Sequence, residues 1–461
     1  MENTYRNICE VIVPNDLCIG CGLCAGICPP QVLEMRFNQY GEYIPVEFKE
    51  GCLPKCDLCL RACPFFDQED NEDSLASANF LAEPGIKHSV DAGFYLDTFV
   101  GYNPVDEQRL NSASGGLATI FLSSLLEKRI VDRVICVVPD DDPEKLFRFT
   151  SVRNPSDVSA SAKSCYYPVE MSNAICEILN TDVRYAIMGL PCFLKAIRLA
   201  MQKNPRLRNR IVVLAGIVCG QTKSKFFAEY LCKLKGGDPA LMNYARFRVK
   251  DLEKPANNFG FQFKCAGGNV NNGTIYWKEG MSEAWVRGYF KPNACNYCDD
   301  IFAEVADVVF MDAWLERYIK DPKGTNFVIV RKSSVLELLK TDAGEGKIFL
   351  ENICIESVFQ SQHPVIEFKR SLLSDRLAFR KFTERKYTPN KRVSPARLSI
   401  MRFFQIGLDY LIINTSKSAF LKERYRSNLR FFNMYFIPTL FIQRVIRRLK
   451  IIADSILEVT A

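Results

Sequence analysis

The stretch that decides the N-terminal fold is DLCIGCGLCAGICPP, residues 16–30. It places four thiols on one short segment with the spacing C-x2-C-x2-C-x3-C, and a proline follows the last of them. Three thiolates two residues apart can wrap one corner of a metal cluster, while the fourth serves a neighbouring cluster. Intervening glycines relieve crowding and expose backbone N–H groups. The four cysteines are Cys18, Cys21, Cys24 and Cys28.

A second cysteine run follows in GCLPKCDLCLRACP, residues 51–64, with one more residue in its first gap. Two such runs indicate a module with two [4Fe-4S] clusters, in which the fourth cysteine of each run binds the other run's cluster. Structural zinc sites are the alternative, but two Cys-Pro endings fit cubanes better. The chain between the runs predicts a short hairpin with Gly41 at its turn. The crossover rule predicts one cluster on Cys18, Cys21, Cys24 and Cys63, and another on Cys28, Cys52, Cys56 and Cys59.

The composition also favours metal binding as the use of these thiols. The chain of 461 residues has 19 cysteines but only two histidines, His88 and His363. No leading segment has the features of a secretion signal, so the sequence predicts a cytoplasmic protein, in which thiols stay reduced. The shortage of histidine disfavours His-based zinc sites and a Ser-His or Cys-His triad.

Changes in composition along the chain predict five segments and a mixed fold. Residues 67–85, DQEDNEDSLASANFLAEPG, are acidic and polar and suggest a linker. Short β-rich runs then alternate with amphipathic helices, which predicts an α+β or α/β domain with at least partly parallel strands. The segments are 1–68 for a two-cluster ferredoxin-like module, 69–92 for a linker, 93–335 for the mixed α/β redox domain, 336–366 for a connecting segment and 367–461 for a basic, helical, amphipathic tail.

Two features of the α/β domain are candidate sites. Ser114, Gly115 and Gly116 form a small-residue turn that leads into a helix, whose N-terminus suits a cofactor phosphate. An ordinary serine N-cap is the simpler explanation of the same residues. Four further cysteines lie at expected turns and together could converge on a third cluster, although each alone could be a small buried apolar residue. They are Cys192, Cys219, Cys295 and Cys298.

Seven short motifs follow one another along the chain. They are SGGL (114–117), SAKSCYYP (161–168), MGLPCFLKAIR (188–198), GIVCGQTKS (216–224), FRVK (247–250), CNYCDD (295–300) and ADVVFMDAW (306–314). This order resembles the coenzyme F420 hydrogenase/dehydrogenase beta-subunit family, whose members bind flavin and iron–sulfur clusters. The related 7-hydroxymethyl chlorophyll a reductase uses FAD. The resemblance covers residues 1–335, including the ferredoxin module that many members carry in front.

The resemblance implies roles for particular residues. The turn at 114–116, together with Ser164 and Tyr166, would form part of a pocket for FAD or a related flavin. The four cysteines at 192, 219, 295 and 298 would ligate a third [4Fe-4S] cluster beside the flavin. Asp312 and Trp314 match the closing motif of the family, and Asp312 would contact the cofactor. The chain departs from the family pattern at Leu190 and Phe193, where polar residues are usual.

The tail, residues 367–461, carries the basic character of the chain, with 20 Lys and Arg against 7 Asp and Glu. No run in it reaches the length of a membrane span, and Pro438 interrupts the longest apolar one. Two interpretations remain open. The helices could lie on an anionic membrane surface, at the inner face of the membrane, or they could pack on the body or on a partner. No recognition motif accompanies the charge, so a nucleic-acid partner is not expected.

Together these observations predict an iron–sulfur flavoprotein oxidoreductase. Electrons would pass between ferredoxin-type [4Fe-4S] clusters, a flavin or deazaflavin, and an unidentified small-molecule acceptor. The alternative is an electron-transfer adaptor without a substrate of its own, which would serve a redox partner protein or a catalytic subunit. A third hypothesis, from the resemblance alone, is a link to surface polysaccharide synthesis. No acid–base residue is predicted, because the cysteines act as ligands.

Overall fold

The two cysteine runs each lead into a one-turn helix, and a β-hairpin lies between them. The computed structural model describes residues 7–67, 70–267, 272–383 and 387–446. Its first elements are α1 (Ile8–Val11), α2 (Leu23–Gly26), β1 (Leu33–Phe37), β2 (Tyr43–Glu47) and α3 (Leu58–Arg61). The strands β1 and β2 pair antiparallel, and Gly41 has a φ of +68° at the turn, which confirms the predicted hairpin. The module contacts the body closely, because a Cβ on Gly26 would lie 2.7 Å from Cβ of Ile175.

Residues 69–92, expected to be a linker, contain a helix that packs on the body. The helix is α4 (Glu72–Phe80), and a short hairpin of β3 (Lys87–Ser89) and β4 (Gly93–Tyr95) follows it. Asn71 and Ser74 form a capping box at its N-terminus. Glu72 makes a buried ion pair with Lys195 at 3.1 Å, and Phe80 is fully buried. The stretch is therefore folded against the body rather than extended.

The body is built on a mixed sheet, which confirms the predicted α/β character. Its strands are β5 (Asp97–Tyr102), β6 (Arg133–Pro139), β7 (Phe147–Val152), β8 (Tyr185–Gly189), β9 (Ile211–Ile217), β10 (Met242–Val249), β11 (Gly260–Cys265), β12 (Gly273–Tyr276), β13 (Val308–Asp312), β14 (Asn326–Val330) and β15 (Phe349–Asn352). Within the described residues, eight of them form one sheet in the order β15-β5-β14-β13-β9-β8-β6-β7. The central strands β13, β9, β8 and β6 are parallel, whereas the strands toward both edges pair antiparallel.

Helices connect these strands and bring several strand ends to one edge of the sheet. They are α5 (Asp106–Asn111), α6 (Leu117–Glu127), α7 (Ser172–Asn180), α8 (Pro191–Lys203), α9 (Pro205–Arg210), α10 (Phe226–Leu234), α11 (Met281–Val286), α12 (Glu316–Ile319), α13 (Ser333–Gly344) and α14 (Ile355–Ile366). Because β8, β9 and β13 are parallel, their carboxyl ends lie at the same edge. Residues 336–366, expected to be a connection, contribute α14 and the edge strand β15 to the body.

The tail packs on the body through both its apolar and its charged side chains. After a π-helical turn at Glu367–Ser371 it forms α15 (Leu373–Thr383), α16 (Ile400–Phe420), α17 (Glu423–Ser427) and α18 (Leu429–Tyr435). Phe432 stacks on Phe290, with ring centroids 5.9 Å apart, and joins the core beneath the small sheet β10-β11-β12. Lys417 makes a buried ion pair with Glu42 of the N-terminal module at 3.0 Å. Much of the described tail is therefore packed on the body, as one of the two interpretations expected.

The apolar runs of the tail raise the question of membrane-spanning helices among the described residues. None of the helices in the described part of the chain is both long enough and apolar enough to cross a bilayer.

Candidate functional site

The first group of thiols combines residues from both N-terminal runs. The charges of Cys21 and Cys63 both act on Cys18, and Cys24 interacts with the same three cysteines, so the four lie together. Burial raises the pKa of Cys21 to about 12 and that of Cys63 to about 11. The backbone N–H of Gly20 donates to Sγ of Cys18 at 3.4 Å. This set, called nest A below, is the one that the crossover rule predicts: Cys18, Cys21, Cys24 and Cys63.

The second group, nest B, is assembled in the same crossed manner. Burial, together with the charges of Cys56, Cys28 and Cys52, raises the pKa of the Cys59 thiol to about 12. Cys28 comes from the first run and the other three from the second. The structure therefore brings the eight N-terminal thiols together in the two predicted sets, and their role as ligands stays a prediction.

The third group, nest C, lies in the body, where three separate segments meet. Cys192 is the second residue of α8, and Cys219 follows the end of β9. Cys295 and Cys298 lie in and just after a short 3-10 turn, Asn293–Tyr297. Burial raises the pKa of Cys192, and the charges of the other three cysteines raise it further. The four cysteines thus converge although up to 106 positions separate them in the sequence.

Two polar residues that sequence reasoning missed bind the sulfurs of nest C. Lys369 Nζ donates to Sγ of Cys298 at 3.1 Å and to the carbonyl oxygen of Asp300 at 2.8 Å. Burial lowers the pKa of Lys369, but the neighbouring thiolates outweigh burial and the pKa is raised overall. The backbone N–H of Thr222 donates to Sγ of Cys295 at 3.4 Å. The sequence does not predict the contact of Lys369 with nest C, because Lys369 lies at the start of the tail, 71 positions after Cys298.

The chemistry of the three nests fits iron–sulfur clusters. Each nest supplies four cysteine thiols, and neither histidine belongs to a nest. Four thiolates are the donor set of a [4Fe-4S] cluster. Burial opposes ionisation of these thiols, and the positive irons of a cluster would offset that cost. In the described part of the chain, no group of three or more His, Cys, Asp or Glu forms a site for a single metal ion. A cube holds its thiolates farther apart than one zinc ion does.

A cavity of about 450 Å³ lies between nests A and C. Cys18 of nest A and Cys219 of nest C both line it, as do Gly20 and Tyr43 of the N-terminal module. The ends of β8, β9 and β13 form its floor, and the N-terminus of α6 contributes Ala118 and Thr119. One wall is aromatic: Phe259, Trp277, Trp285 and Trp314. The cavity has the size and the mixed apolar and polar lining of a cofactor site.

The small-residue turn at 114–116 is largely occupied by its own packing. Ser114 and Gly116 line the cavity, but Ser114 Oγ donates to the carbonyl oxygen of Thr325 at 2.7 Å. Gly115 lies behind the lining, where a Cβ would meet the backbone N of Asn326 at 2.8 Å. The side chain of Asn326 accepts from the N–H of Leu117, the first residue of α6, at 3.1 Å. The turn therefore shapes the cavity mainly through its backbone.

Buried cations hold the carbonyl oxygens of the loop before α6. Lys163 donates to the carbonyls of Leu110 and Ser112 at 3.0 and 3.2 Å. Burial, together with the charges of nearby arginines, lowers the pKa of Lys163 to about 7. Arg248 donates to the carbonyl of Ala113 at 3.1 Å. Lys163 and Arg248 also line the cavity, so this side of it offers N–H donors that suit an anionic group.

The other three predicted cofactor residues also line the cavity. Ser164, Tyr166 and Asp312 are among the lining residues, and Asp312 forms an ion pair with Arg248. Burial raises the pKa of Tyr166, which is hydrogen-bonded to Arg248 and Ser164. The Tyr166 ring packs 4.8 Å from that of Trp285. Asp312 therefore acts on the cavity by positioning Arg248. The apolar side chains of Leu190 and Phe193 reach the cavity too.

Comparisons with known proteins show the family of this chain. Models of the coenzyme F420 hydrogenase/dehydrogenase beta subunit match residues 98–176 with their N-terminal part and 182–354 with their C-terminal part, together more than half of the chain. A 4Fe-4S binding domain model matches residues 11–34.

Two curated relatives come from Methanocaldococcus jannaschii. An uncharacterized protein is 22% identical over 394 residues, which cover 78% of this chain and 96% of the relative. A coenzyme F420-dependent sulfite reductase is 24% identical over 351 residues, covering 74% of this chain and 48% of the reductase. The match thus spans about half the length of the reductase.

One solved structure shares the fold. It is a chain from the F420-reducing [NiFe] hydrogenase complex of Methanosarcina barkeri, with a TM-score of 0.51 and 14% identity. The match covers 67% of this chain and 100% of that one.

Proposed function

The chain belongs to the coenzyme F420 hydrogenase/dehydrogenase beta-subunit family and carries a 4Fe-4S binding domain; from this premise we propose that it is an iron–sulfur flavoprotein oxidoreductase. It would pass electrons between [4Fe-4S] clusters, a flavin or deazaflavin, and an acceptor that is not identified. The observation that carries this proposal is the cavity, because one space of about 450 Å³ touches Cys18 of nest A and Cys219 of nest C. A group bound there would lie beside two clusters.

The clusters would be held by the three nests. Nest A would hold the first, nest B the second and nest C the third. Buried N–H and ammonium groups beside the sulfurs, from Gly20, Thr222 and Lys369, would stabilise the negative charge of the clusters. The two N-terminal clusters rest on a regular motif, whereas the third depends on the convergence of nest C.

The residues of the cavity suit a flavin with an anionic end. When bound, a flavin exchanges electron pairs with substrates and single electrons with clusters. The aromatic wall formed by Trp277, Trp285 and Trp314 would pack against a flat ring system. The N–H donors of Lys163 and Arg248 would bind a phosphate together with the N-terminus of α6. The lining thus offers a separate surface to each end of the cofactor.

Metal content tests the three nests. Anaerobic purification of the full chain should give about twelve irons and about twelve sulfides per chain, at four per cubane. Replacing Cys219→Ala should lower the iron count to about eight. The buried Cys232 lies outside the nests, so Cys232→Ala is the matched control and should leave the count unchanged. A count of about eight in the unmodified chain would contradict a cluster in nest C.

The cavity is tested separately by its flavin. Acid release and chromatography of the purified chain should give about one flavin per chain, and its identity would distinguish FAD, FMN and deazaflavin. Ala118→Trp places a large side chain in the cavity and should abolish the bound flavin without changing the iron content. Unchanged flavin in this variant would mean that the flavin binds elsewhere.

A second candidate function is that of an electron-transfer adaptor. The structural match covers the whole of one chain from a hydrogenase complex. The sequence match covers about half of the curated reductase. Both facts suit a subunit that serves a redox partner protein. Flavin-dependent reduction of a small acceptor by the isolated chain would favour the enzyme. Inertness of the isolated chain, with activity restored by a co-purifying catalytic subunit, would favour the adaptor.

A further inference from the structure

The end of the described tail has two apolar faces. The stretch consists of α18 and a second helical stretch at 437–446, and Phe436 between them has right-handed helical dihedral angles. One face is buried: Phe432, Phe436 and Leu440 are at most 8% exposed and belong to the aromatic core. The core therefore uses only part of the apolar surface of this stretch.

The opposite face is apolar as well, and it is exposed. At 100° per residue its side chains fall within an arc of about 120°, on the side away from the buried residues. They are Phe431, Met434, Tyr435, Phe441, Ile442 and Val445, with exposed fractions from 39% to 67%. Half of the large exposed apolar side chains of the described residues lie between positions 400 and 445. An apolar stripe of this width is typical of a helix that docks against another surface.

The charges around this face are mostly positive, and one acidic residue beside it, Glu423, pairs with Arg426 at 3.2 Å. Residues 424–446 contain four arginines, Arg424, Arg426, Arg430 and Arg444, and no aspartate or glutamate. All four arginines are exposed. Exposed apolar side chains flanked by arginines complement a lipid surface that carries anionic headgroups over an apolar interior.

We propose that residues 424–446 dock the protein onto an anionic membrane surface. The helices would lie in the interface, since no described helix is long and apolar enough to cross a bilayer. Phe431, Phe441 and Ile442 insert between the acyl chains, and the arginines bind lipid phosphates. The opposite face, with Phe432 and Phe436, remains packed against the body, so docking requires no unfolding.

Vesicle binding by the full, cluster-loaded chain tests this proposal. Sedimentation with vesicles of equal parts phosphatidylcholine and phosphatidylglycerol should show binding that weakens as salt rises, and vesicles of phosphatidylcholine alone should bind at least about tenfold more weakly. Replacing Phe441→Gln together with Ile442→Gln should weaken binding by at least about tenfold. Arg430→Glu with Arg444→Glu should also weaken it at least about tenfold, and only on the anionic vesicles.

Matched controls separate docking from general stickiness or misfolding. Leu81→Gln with Val90→Gln replaces two other exposed apolar side chains, distant in sequence from the proposed surface, and vesicle binding should stay unchanged. All variants should keep the iron content and unfolding midpoint of the parent chain. No binding to the anionic vesicles, or an equal loss in the control pair, would overturn the proposal. Self-association that Phe441→Gln with Ile442→Gln abolishes, without any vesicle binding, would also overturn it and assign the face to a second copy.

Discussion

At the scale of single residues, Lys369 is the side chain through which the tail acts on the redox site. It is 2% exposed and donates to Sγ of Cys298 at 3.1 Å and to the carbonyl oxygen of Asp300 at 2.8 Å. Its positive charge therefore faces the thiolates of nest C and should favour the reduced, more negative state of a cluster held there. Lys369→Met should lower the midpoint potential of that cluster by about 60 mV or more. For a one-electron reduction this is about a tenfold change in the equilibrium constant.

A redox titration followed by electron paramagnetic resonance measures this potential. Lys369→Arg keeps the charge and should retain a potential closer to that of the parent chain. Iron analysis must show that each variant keeps all of its clusters. A Met variant with full iron content and an unshifted potential would show that Lys369 has only a packing role.

The two lysines around the loop before α6 predict a dependence of stability on pH. Burial lowers the pKa of Lys163 to about 7 and that of Lys250 to about 6. Between these values and the usual lysine pKa, the unfolded chain binds more protons than the folded one, so the flavin-free protein should become more stable as pH rises from about 7 toward 10. Lys163→Met should reduce this rise, as measured by urea unfolding at several pH values. The exposed Lys340→Met is the control and should leave the slope unchanged.

At the scale of elements, the hairpin with Gly41 and the strands β6, β8, β9 and β13 could be predicted, because their patterns are local. The helix α4 and the strand β15 could not. The first residues of α4 are polar and show no apolar pattern. Glu72 is instead held on the body by its ion pair with Lys195. Three of the four residues of β15 are exposed, so this edge strand lacks a hydrophobic pattern. Such elements are set by partners distant in sequence.

The same distinction applies to the site. The members of nests A and B follow from spacing within two short runs, and their role as ligands stays a prediction. Nest C could be suggested only from strand ends and from a resemblance, because its cysteines come from three segments. Lys369 had no local signal at all, and Arg248 lies in the motif FRVK without a role that the motif alone predicts. Their importance depends on which thiol or carbonyl oxygen each one meets in the folded chain.

The close contact between α2 and α7 predicts that position 26 requires glycine. A Cβ at position 26 would lie 2.7 Å from Cβ of Ile175 and 2.8 Å from the carbonyl oxygen of Ser172. Gly26→Ala should therefore lower the free energy of unfolding by about 1–3 kcal/mol, through overpacking. Gly344→Ala is the matched control, because position 344 ends α13 and has nothing within 4 Å. Denaturant unfolding should show no loss there, and an equal loss in both variants would contradict overpacking.

At the scale of the whole molecule, one ionic network joins Arg392 of the tail to the middle of the chain and, through Asp73 at 2.8 Å, to its N-terminal part. Arg392 of the tail binds Glu304 through two bonds, at 2.7 and 2.9 Å, and binds Asp299 at 3.1 Å. Lys391 reaches the same Asp299 at 3.4 Å. Asp299 directly follows Cys298 of nest C, so the network connects the tail to the loop that carries a candidate cluster ligand.

This network predicts that the tail stabilises the entire fold. Arg392→Met would leave the carboxylates of Asp299 and Glu304, each at most 2% exposed, with less positive charge around them. Removing one partner of a buried ion pair costs about 3–5 kcal/mol, and calorimetric or denaturant unfolding should show a loss of this size. The exposed pair of Arg184 with Asp132, at 3.0 Å, is the control, and Arg184→Met should cost about 1 kcal/mol or less. Equal losses in both variants would mean that this network contributes no more to stability than a surface ion pair.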